Sequence, residues 1–291
     1  MNRYCAVTVD GYEEVVRCDN EQKGFSAWIA IHNTNRGPAL GGCRVWNYGS
    51  ADDALEDVLR LSRAMTYKNS LAGLRLGGGK CVVRADLDRI DRVELFELIG
   101  EFVDTLGGRY ITAEDVNSTV EDMAFVKRAT PHVATVGASG NPSPFTAYGV
   151  YCAIKAGAYF IKGRRGLSGL RVAIQGVGET GGRLAEMLAA EGCRVLAADI
   201  NRANIHRLKS QVRLEEIDPE AIHRCDCDIF SPCALGGTLN SDTSSALQCW
   251  LVAGSANNQL LTRADGYVLD RRGIVYIPDY AANAGGVINI S

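Results

Sequence analysis

The sequence has 291 residues, enough for two domains of about 150 residues each. Hydrophobic residues make up 46% and charged residues 22%, a globular composition that excludes disordered and fibrous classes. A net charge of −3 argues against a broad basic surface for nucleic acid, and no apolar run approaches the ~20 residues that span a bilayer. We therefore expect no nucleic-acid and no membrane partner.

The N-terminal segment lacks the charged-then-apolar pattern of a signal peptide, so a cytoplasmic location is expected. Ten cysteines are scattered along the chain, which favours buried, reduced thiols over a disulfide framework. The densest group lies within residues 223–233, but Cys225-Asp226-Cys227 lacks the spacing and the second pair of a zinc ribbon. The sequence predicts no metal site.

The first half of the chain predicts an α/β domain. Strand-like runs at residues 28–32, 81–84 and 109–113 alternate with helical segments. Ser50 and Asp53 have the spacing of a capping box, and the apolar residues after them predict a helix that ends near Lys68. A second helix is predicted over residues 93–105, before a Gly-Gly pair.

A proline-rich turn, Asn141-Pro142-Ser143-Pro144, separates a predicted domain of residues 1–140 from one of residues 141–291. Helices are predicted over residues 146–161 and 181–191. The strands predicted in this half cover residues 172–174, 194–198, 228–230, 250–253 and 274–277. This alternation predicts a parallel sheet covered on both faces, so the expected fold class is α/β with two domains.

The segment Gly176-Val177-Gly178-Glu179-Thr180-Gly181 follows a predicted strand and opens a predicted helix. Glycines at this spacing allow a tight turn, a close approach to a pyrophosphate and close helix–strand packing. Asp199 ends the next strand, where a carboxylate would bind the ribose hydroxyls and favour NAD over NADP, although the nearby Arg202 would soften that preference. The alternative is that Asp199 only caps a turn.

Two lysines and an acid in the first half suggest a reaction centre. Lys68 lies at the end of the predicted helix, and Lys80 follows a run of three glycines. One lysine could bind a carboxylate as a fixed cation while the other acts as a general base. Asp115 follows a predicted strand and could exchange protons with an amine. Taken singly, each of these residues is more often a solvated surface charge.

A series of motifs from about residue 32 to the last residue resembles the leucine/phenylalanine/valine dehydrogenase branch of the amino-acid dehydrogenases. In chain order they are His32-Asn33-Thr34, Gly37-Pro38-Ala39-Leu40-Gly41-Gly42, Met65-Thr66-Tyr67-Lys68, Gly77-Gly78-Gly79-Lys80, Thr112-Ala113-Glu114-Asp115, Asn141-Pro142-Ser143-Pro144, Pro232-Cys233-Ala234-Leu235-Gly236-Gly237, Ala253-Gly254-Ser255-Ala256-Asn257-Asn258-Gln259-Leu260, Pro278-Asp279-Tyr280 and Asn283-Ala284-Gly285-Gly286.

The resemblance implies an N-terminal substrate-binding and oligomerisation domain, a Rossmann-like NAD domain, a cleft between them and a homo-oligomer. It also implies further helices beyond the segment that ends at Ser291, which are absent from this sequence. The implied reaction is reversible oxidative deamination, in which an L-amino acid, water and NAD⁺ give a 2-oxo acid, ammonia and NADH. No serine or cysteine triad is apparent, and hydride transfer needs none.

The resemblance also implies roles for single residues. Lys68 would hold the substrate carboxylate, Lys80 would be the general base that activates water, and Asp115 would assist proton transfer at the amine. Asn117 and Ser118 stand where the family commonly has Gly and Thr, and Asn tolerates left-handed backbone well. The implied cofactor-binding residues are Pro144, Thr146, Gly176, Val177, Gly178, Glu179, Thr180, Gly181, Gly182, Asp199 and Asn258.

The implied substrate side-chain pocket is apolar and would not satisfy a charged glutamate side chain. Its residues would be Leu40, Gly41, Met65, Ala113, Val287 and Ile290, with Asn258 close to both substrate and nicotinamide. This favours leucine, valine and isoleucine, with overlap among them because a methylene discriminates only about 10–200-fold. The alternatives are an aromatic (phenylalanine or tryptophan) amino-acid dehydrogenase, or a truncated, non-catalytic NAD-binding protein.

Overall fold

The computed structural model describes residues 3–134 and 141–289. They fall into two compact units: unit 1 contains residues 3–134, and unit 2 is Asn141–Asn289. None of the helices in these ranges combines the length and the apolarity needed to cross a bilayer. Each unit is a sheet with helices packed on both faces.

Unit 1 is built on a mixed six-stranded sheet with the order β1-β2-β3-β5-β4-β6. Strands β1, β2, β3 and β5 pair in antiparallel fashion, whereas β4 pairs parallel with β5 on one side and with β6 on the other. The strands are β1 (Arg3–Ala6), β2 (Glu14–Asn20), β3 (Phe25–Asn33), β4 (Ala39–Trp46), β5 (Gly77–Arg84) and β6 (Tyr110–Glu114).

The helices of unit 1 are α1 (Ala51–Leu71), α2 (Arg92–Asp104) and α3 (Val120–Ala129). Helix α1 covers one face of the sheet, while α2 and α3 cover the other. Strand β3 shows why both faces must be covered: Trp28 and Ala30 pack towards α1, and Ile29 packs towards α2 and α3. A sheet buried on both faces carries near-continuous apolar strands rather than alternating ones.

Unit 2 contains a fully parallel sheet with the order β12-β11-β10-β7-β8-β9. The strands are β7 (Arg171–Gln175), β8 (Arg194–Ala198), β9 (Leu214–Glu216), β10 (Ile229–Pro232), β11 (Leu251–Val252) and β12 (Val275–Tyr276). Read from β9, this is the 3-2-1-4-5-6 order of a dinucleotide-binding fold, and its direction reverses between β7 and β10.

The helices of unit 2 form layers on both faces of this sheet. They are α4 (Ser143–Lys162), α5 (Glu179–Ala190), α6 (Arg202–Lys209), α7 (Ser241–Ala246), α8 (Arg263–Arg271), α9 (Asp279–Ala282) and α10 (Gly285–Asn289), with a 3-10 turn at Ile222–Arg224. Alternate residues of β7 face opposite layers, since Val172 and Ile174 pack with α5 whereas Ala173 packs with the layer that contains α8.

The α/β fold class predicted from the sequence is confirmed. The predicted capping box is present, because the Ser50 hydroxyl accepts a hydrogen bond from the Asp53 backbone and the Asp53 carboxylate accepts one from the Ser50 backbone. Helix α1 continues to Leu71, three residues beyond the predicted end. The expectation that the cysteines are buried is wrong for Cys5 and Cys152, which are exposed; both are free thiols.

The glycine clusters of unit 1 are explained by packing within the protein. A Cβ atom at Gly41 of β4 would overlap the carbonyl oxygen of Gly79 in β5, and one at Gly78 would overlap the backbone nitrogen of Thr66 in α1. In the structure their missing Cβ atoms make room for neighbouring backbone, which lets β4, β5 and α1 approach closely.

We predict that Gly41→Ala destabilises unit 1 by about 3 kcal/mol, because the added methyl group forces β4 away from the carbonyl of Gly79. Urea unfolding measures this change. The matched control is Gly166→Ala, since a Cβ there has only the Glu191 carboxylate at 4.0 Å and the residue is exposed. Equal unfolding midpoints for the two variants would contradict the packing explanation.

Candidate functional site

Three charged side chains of unit 1 meet on the face of the sheet that α1 covers. Arg44 lies on β4, Lys80 on β5, and Asp115 directly follows β6. The parallel register pairs Cys43 with Cys81 on one side and with Glu114 on the other, so the three charged residues fall at nearly the same level. The sheet register therefore brings together residues that are far apart in the sequence.

These side chains form a buried ion-pair cluster. The Lys80 ammonium lies 2.9 Å from Oδ2 of Asp115, and Nε of Arg44 donates a hydrogen bond of 2.9 Å to the same oxygen. Nη1 of Arg44 lies 2.9 Å from Oδ2 of Asp57 in α1, which also accepts a hydrogen bond of 2.6 Å from the Tyr48 hydroxyl. Lys80 is only 4% exposed, so water screens the pair weakly.

The protonation of Asp115 follows from this environment. Burial alone would raise the pKa of the Asp115 carboxyl, but the charges and hydrogen bonds of Lys80 and Arg44 lower it well below its usual value. The pKa of Arg44 is raised: burial would lower it, but the charges of Asp115 and Asp57 outweigh that effect. In the protein alone, Asp115 is a carboxylate held by two cations.

The turn after β6 fixes the backbone of Asp115. The Ser118 hydroxyl accepts a hydrogen bond of 2.8 Å from the Asp115 N–H and donates one of 2.6 Å to the Cys43 carbonyl. Asn117 has a φ of 58°, and its side-chain amide donates to the Val45 carbonyl at 3.1 Å. Asn at this position supports a left-handed turn with a side-chain hydrogen bond that glycine cannot make.

The other substrate-site candidates of unit 1 lie on the same elements. Leu40 is buried on β4, one residue before Gly41, and Ala113 is buried on β6 beside Gly42. Met65 and Lys68 are half-buried in the last turns of α1. Thr66 lies between them in the chain, and its backbone packs against Gly78 of β5. Their roles in substrate binding stay predictions.

In unit 2, the glycine-rich segment connects β7 to α5. Gly176 has a φ of 88°, and its N–H donates to the Ala198 carbonyl at 2.7 Å. A Cβ at Gly181 would overlap the Gly176 carbonyl oxygen, so the third glycine permits close packing of helix and turn. By contrast, a Cβ at Gly178 would meet nothing within 4 Å. Open space therefore lies over the middle of the loop, directly before the first residue of α5.

Asp199, directly after β8, holds this loop. Its carboxylate accepts a hydrogen bond of 2.8 Å from the Val177 N–H, one of 2.8 Å from the Asn201 N–H and one of 3.1 Å from the Asn204 side chain. Asp199 therefore caps a turn, which is the role that the sequence offers as the alternative to ribose binding. Contact between Asp199 and a ribose stays a prediction.

These features fit a dinucleotide. The glycine-rich loop lies at the carboxyl end of β7, where the strand order reverses, and the N-terminus of α5 supplies unpaired N–H groups for an anion. Gly182 is buried in the first turn of α5. Glu179 is 60% exposed and lies 3.9 and 4.0 Å from Arg183 and Arg207, which offset its charge near the loop.

The remaining candidates of unit 2 lie around α4, α10 and the loop after β11. The Thr146 hydroxyl, two residues after Pro144, would lie 2.8 Å from a Cβ at Gly286, so α10, the helix that contains Val287, packs against the first turn of α4. Asn258 has a φ of 52°, and its N–H donates to the buried Asp279 carboxylate. Ile290 lies outside the described residues.

The sequence interpretation missed the residues that support the site. Arg44, Asp57 and Tyr48 complete the charge cluster, and Asp279 holds the left-handed backbone of Asn258. A signal for Arg44 was available, because a lone arginine within an otherwise apolar, glycine-rich run points to a paired buried charge.

Family models match both halves of the chain. Residues 9–132 match the Glu/Leu/Phe/Val dehydrogenase dimerisation domain, and residues 196–291 match the Glutamate/Leucine/Phenylalanine/Valine dehydrogenase model. The chain is 49% identical to a leucine dehydrogenase of Thermoactinomyces intermedius over 284 residues, which is 96% of this chain and 78% of the relative. It is 44% identical to a phenylalanine dehydrogenase of the same organism over 297 residues, covering 100% of this chain and 80% of the relative.

The fold is also that of a solved relative. The crystal structure of the L-tryptophan dehydrogenase from Nostoc punctiforme superposes with a TM-score of 0.77 at 39% identity, covering 95% of this chain and 80% of that one. A hetero-hexameric glutamate dehydrogenase from Thermus thermophilus gives a TM-score of 0.73 at 21% identity, covering 99% and 74%, and shares the fold.

We predict that Asp115→Asn lowers the free energy of unfolding by about 3 kcal/mol at pH 7, because Lys80 and Arg44 lose their buried counter-charge. Because folding lowers the pKa of Asp115, its ionised carboxylate adds to the free energy of unfolding at pH values above about 4, which is its pKa in the unfolded chain. This contribution is lost progressively as the pH falls from there towards the lower pKa of the folded state. The difference between wild type and variant should therefore shrink below pH ~4.

Urea unfolding between pH 7 and pH ~3 measures this difference. The matched control is Asp226→Asn, whose side chain is 76% exposed and pairs with Arg171 at the surface. This variant should stay within about 0.5 kcal/mol of wild type. A stability difference for Asp115→Asn that does not change with pH would contradict the ion-pair assignment.

Proposed function

Because the chain belongs to the Glu/Leu/Phe/Val dehydrogenase family, we propose that it catalyses NAD-dependent, reversible oxidative deamination of branched-chain L-amino acids. The chain is an amino-acid dehydrogenase, and its curated relatives include several leucine dehydrogenases. The observation that carries the proposed reaction is the buried Lys80–Asp115 ion pair. The products would be a 2-oxo acid and ammonia. The match of unit 1 to a dimerisation domain supports a homo-oligomer.

The family uses nicotinamide dinucleotides, and the glycine loop of unit 2 fits one. When bound, the oxidised dinucleotide accepts the hydride from the substrate carbon. Gly176, Gly178 and Gly181 would give the pyrophosphate access to the backbone and to the N-terminus of α5. Pro144, Thr146 and Asn258 would contact the nicotinamide. Asp199 supports NAD over NADP, because its carboxylate would repel a 2′-phosphate.

The charge cluster of unit 1 supports the proton-transfer steps. Lys68 would pair with the substrate carboxylate and fix the orientation of the amino acid. Asp115 would accept a hydrogen bond from the substrate amine, as a carboxylate that Lys80 and Arg44 keep ionised. Lys80, as the neutral amine left once its ammonium proton has passed to solvent, would take a proton from the water that adds to the substrate imine, and the ammonium that results would return a proton to the nitrogen when ammonia leaves.

The apolar candidates support an aliphatic substrate. Leu40 and Ala113 are buried on neighbouring strands, and Met65 lies half-buried on the helix above them. These side chains offer no partner for a charged group, so a glutamate side chain would lose its hydration without compensation. The family resemblance adds Val287 and Ile290 to the residues proposed to contact the substrate side chain. The phenylalanine and tryptophan dehydrogenases among the relatives make an aromatic substrate the competing candidate.

We predict that the purified protein reduces NAD⁺ with L-leucine, L-valine and L-isoleucine faster than with L-phenylalanine or L-tryptophan. The absorbance of NADH at 340 nm follows the reaction. Lys80→Ala should abolish turnover and leave the dissociation constant of NADH unchanged, because Lys80 lies in unit 1, outside the glycine loop.

The control is Lys23→Ala, since Lys23 pairs with Glu94 at the surface and should not affect turnover. Highest kcat/KM with an aromatic amino acid would favour the competing substrate. Absence of turnover with every amino acid, despite NADH binding, would favour a non-catalytic dinucleotide-binding protein.

We also predict a preference for NADH over NADPH of about tenfold or more, which Asp199→Asn should reduce towards equality. The amide oxygen of Asn still accepts the Val177 N–H, so the loop keeps its support while the charge is lost. Fluorescence titration gives both dissociation constants. Asp218→Asn, at an exposed site of unit 2, is the control. An equal loss of affinity for both dinucleotides would assign Asp199 to loop support alone.

A further inference from the structure

Arg44 binds two carboxylates with different parts of one guanidinium group. Its Nε donates to Oδ2 of Asp115, and its Nη1 donates to Oδ2 of Asp57, each at 2.9 Å. The side chain is 17% exposed, and a planar guanidinium that bridges two acids has little freedom to rotate. Arg44 thus ties the carboxylate after β6 to the helix α1.

The outer end of this bridge is itself fixed. Oδ2 of Asp57 also accepts the Tyr48 hydroxyl at 2.6 Å, so the acid of α1 has two donors. Tyr48 is in turn held in place, because Nε of Arg84 donates to its carbonyl at 2.9 Å. Arg44 is therefore supported from the side opposite Asp115.

The two oxygens of Asp115 are used differently. Lys80 and Arg44 both bind Oδ2, and among the described residues no group donates a hydrogen bond to Oδ1. The Asp115 side chain is 17% exposed, so the carboxylate is not fully sealed from solvent. A carboxylate with one oxygen held by two cations presents the other oxygen in a defined direction.

We propose that Arg44 is the positioning residue of this site: together with Lys80 it occupies Oδ2 of Asp115, which leaves Oδ1 directed at the substrate amine. This inference rests on the proposed deamination, because it takes the substrate amine as the group that donates a hydrogen bond to Oδ1. Arg44 does not contact the substrate in this scheme. It acts through the orientation and the charge of Asp115.

The charged groups around Asp115 set its pH response. They are Lys80 from β5 and Arg44 from β4, with Glu114 next to it in the chain and Asp57 of α1 beyond Arg44. The buried phenol of Tyr110 in β6 lies nearby and is uncharged, since burial raises its pKa well above the usual value. Among the residues that the structure describes, removal of Arg44 leaves Lys80 as the cation that contacts the Asp115 carboxylate, which raises the pKa of Asp115.

The test is Arg44→Ala, assayed with L-leucine and NAD⁺. We expect kcat to fall about tenfold to a hundredfold, because the reacting groups lose their alignment, while the KM for NAD⁺ stays unchanged. Millimolar guanidinium ion should restore part of kcat, because it replaces the missing group. Urea at the same concentration is neutral and of similar size, so it should not restore kcat. A kcat equal to wild type, or equal rescue by urea, would overturn the proposal.

Two comparison variants complete the design. Arg17→Ala removes an arginine of β2 that pairs with Asp19, and it should leave kcat unchanged. Asp57→Asn keeps Arg44 but removes its second anchor, so we expect a smaller fall in kcat, again with unchanged KM for NAD⁺. If Arg44→Ala does not fold, Asp57→Asn decides the question, and a kcat equal to wild type there contradicts the proposal.

The proposed function and this inference fail in different ways. If the wild-type protein deaminates no amino acid, the proposed function fails. The ionisation of Asp115 is then read from urea unfolding: the loss of stability below pH ~4 should be smaller in Arg44→Ala than in wild type, because a higher folded-state pKa of Asp115 reduces the proton uptake on unfolding. If the wild-type protein is active and the variant shows neither the fall in kcat nor this change in pH dependence, the role of Arg44 alone is refuted.

Discussion

A carboxylate between two cations is the interaction on which the site of unit 1 depends. Burying a single charge would cost several kcal/mol, so Lys80, Asp115 and Arg44 are tolerated inside the unit only as a group. The group can form only because β4 lies between β5 and β6 in parallel register. That register in turn requires the close approach that the glycines permit, so backbone packing and charge placement are parts of one arrangement.

The sequence predicts the parts of the fold whose signals are local. The capping box of α1, the strand–turn–helix around Gly176 and the alternating strands of unit 2 each lie within a short window, and the structure contains all of them. Strand β4 was not predicted, because Gly41 and Gly42 lower its β propensity and hide its apolar pattern. Its formation depends on pairing with two other strands, which no local window contains.

The candidate site also contains residues that local motifs predict and residues that only the three-dimensional structure brings together. Lys80 and Asp115 are suggested by motifs, and the structure brings their side chains together. The contribution of Arg44 was not predictable in this way, because its two partners lie 13 and 71 residues away and on different elements. Likewise, the hydrogen bond from Val177 to Asp199 spans 22 residues, so the acid that sequence spacing assigns to a ribose also proves to support the loop.

That support has a consequence for the energetics of cofactor capture. In the protein alone, the turn after β7 is already tied to β8 through the Ala198 carbonyl and the Asp199 carboxylate. A loop that is ordered beforehand loses little conformational entropy when a ligand arrives, so more of the contact energy remains as affinity. Preorganisation of this kind lets a short stretch of glycines, the most conformationally free of residues, serve as a rigid receptor.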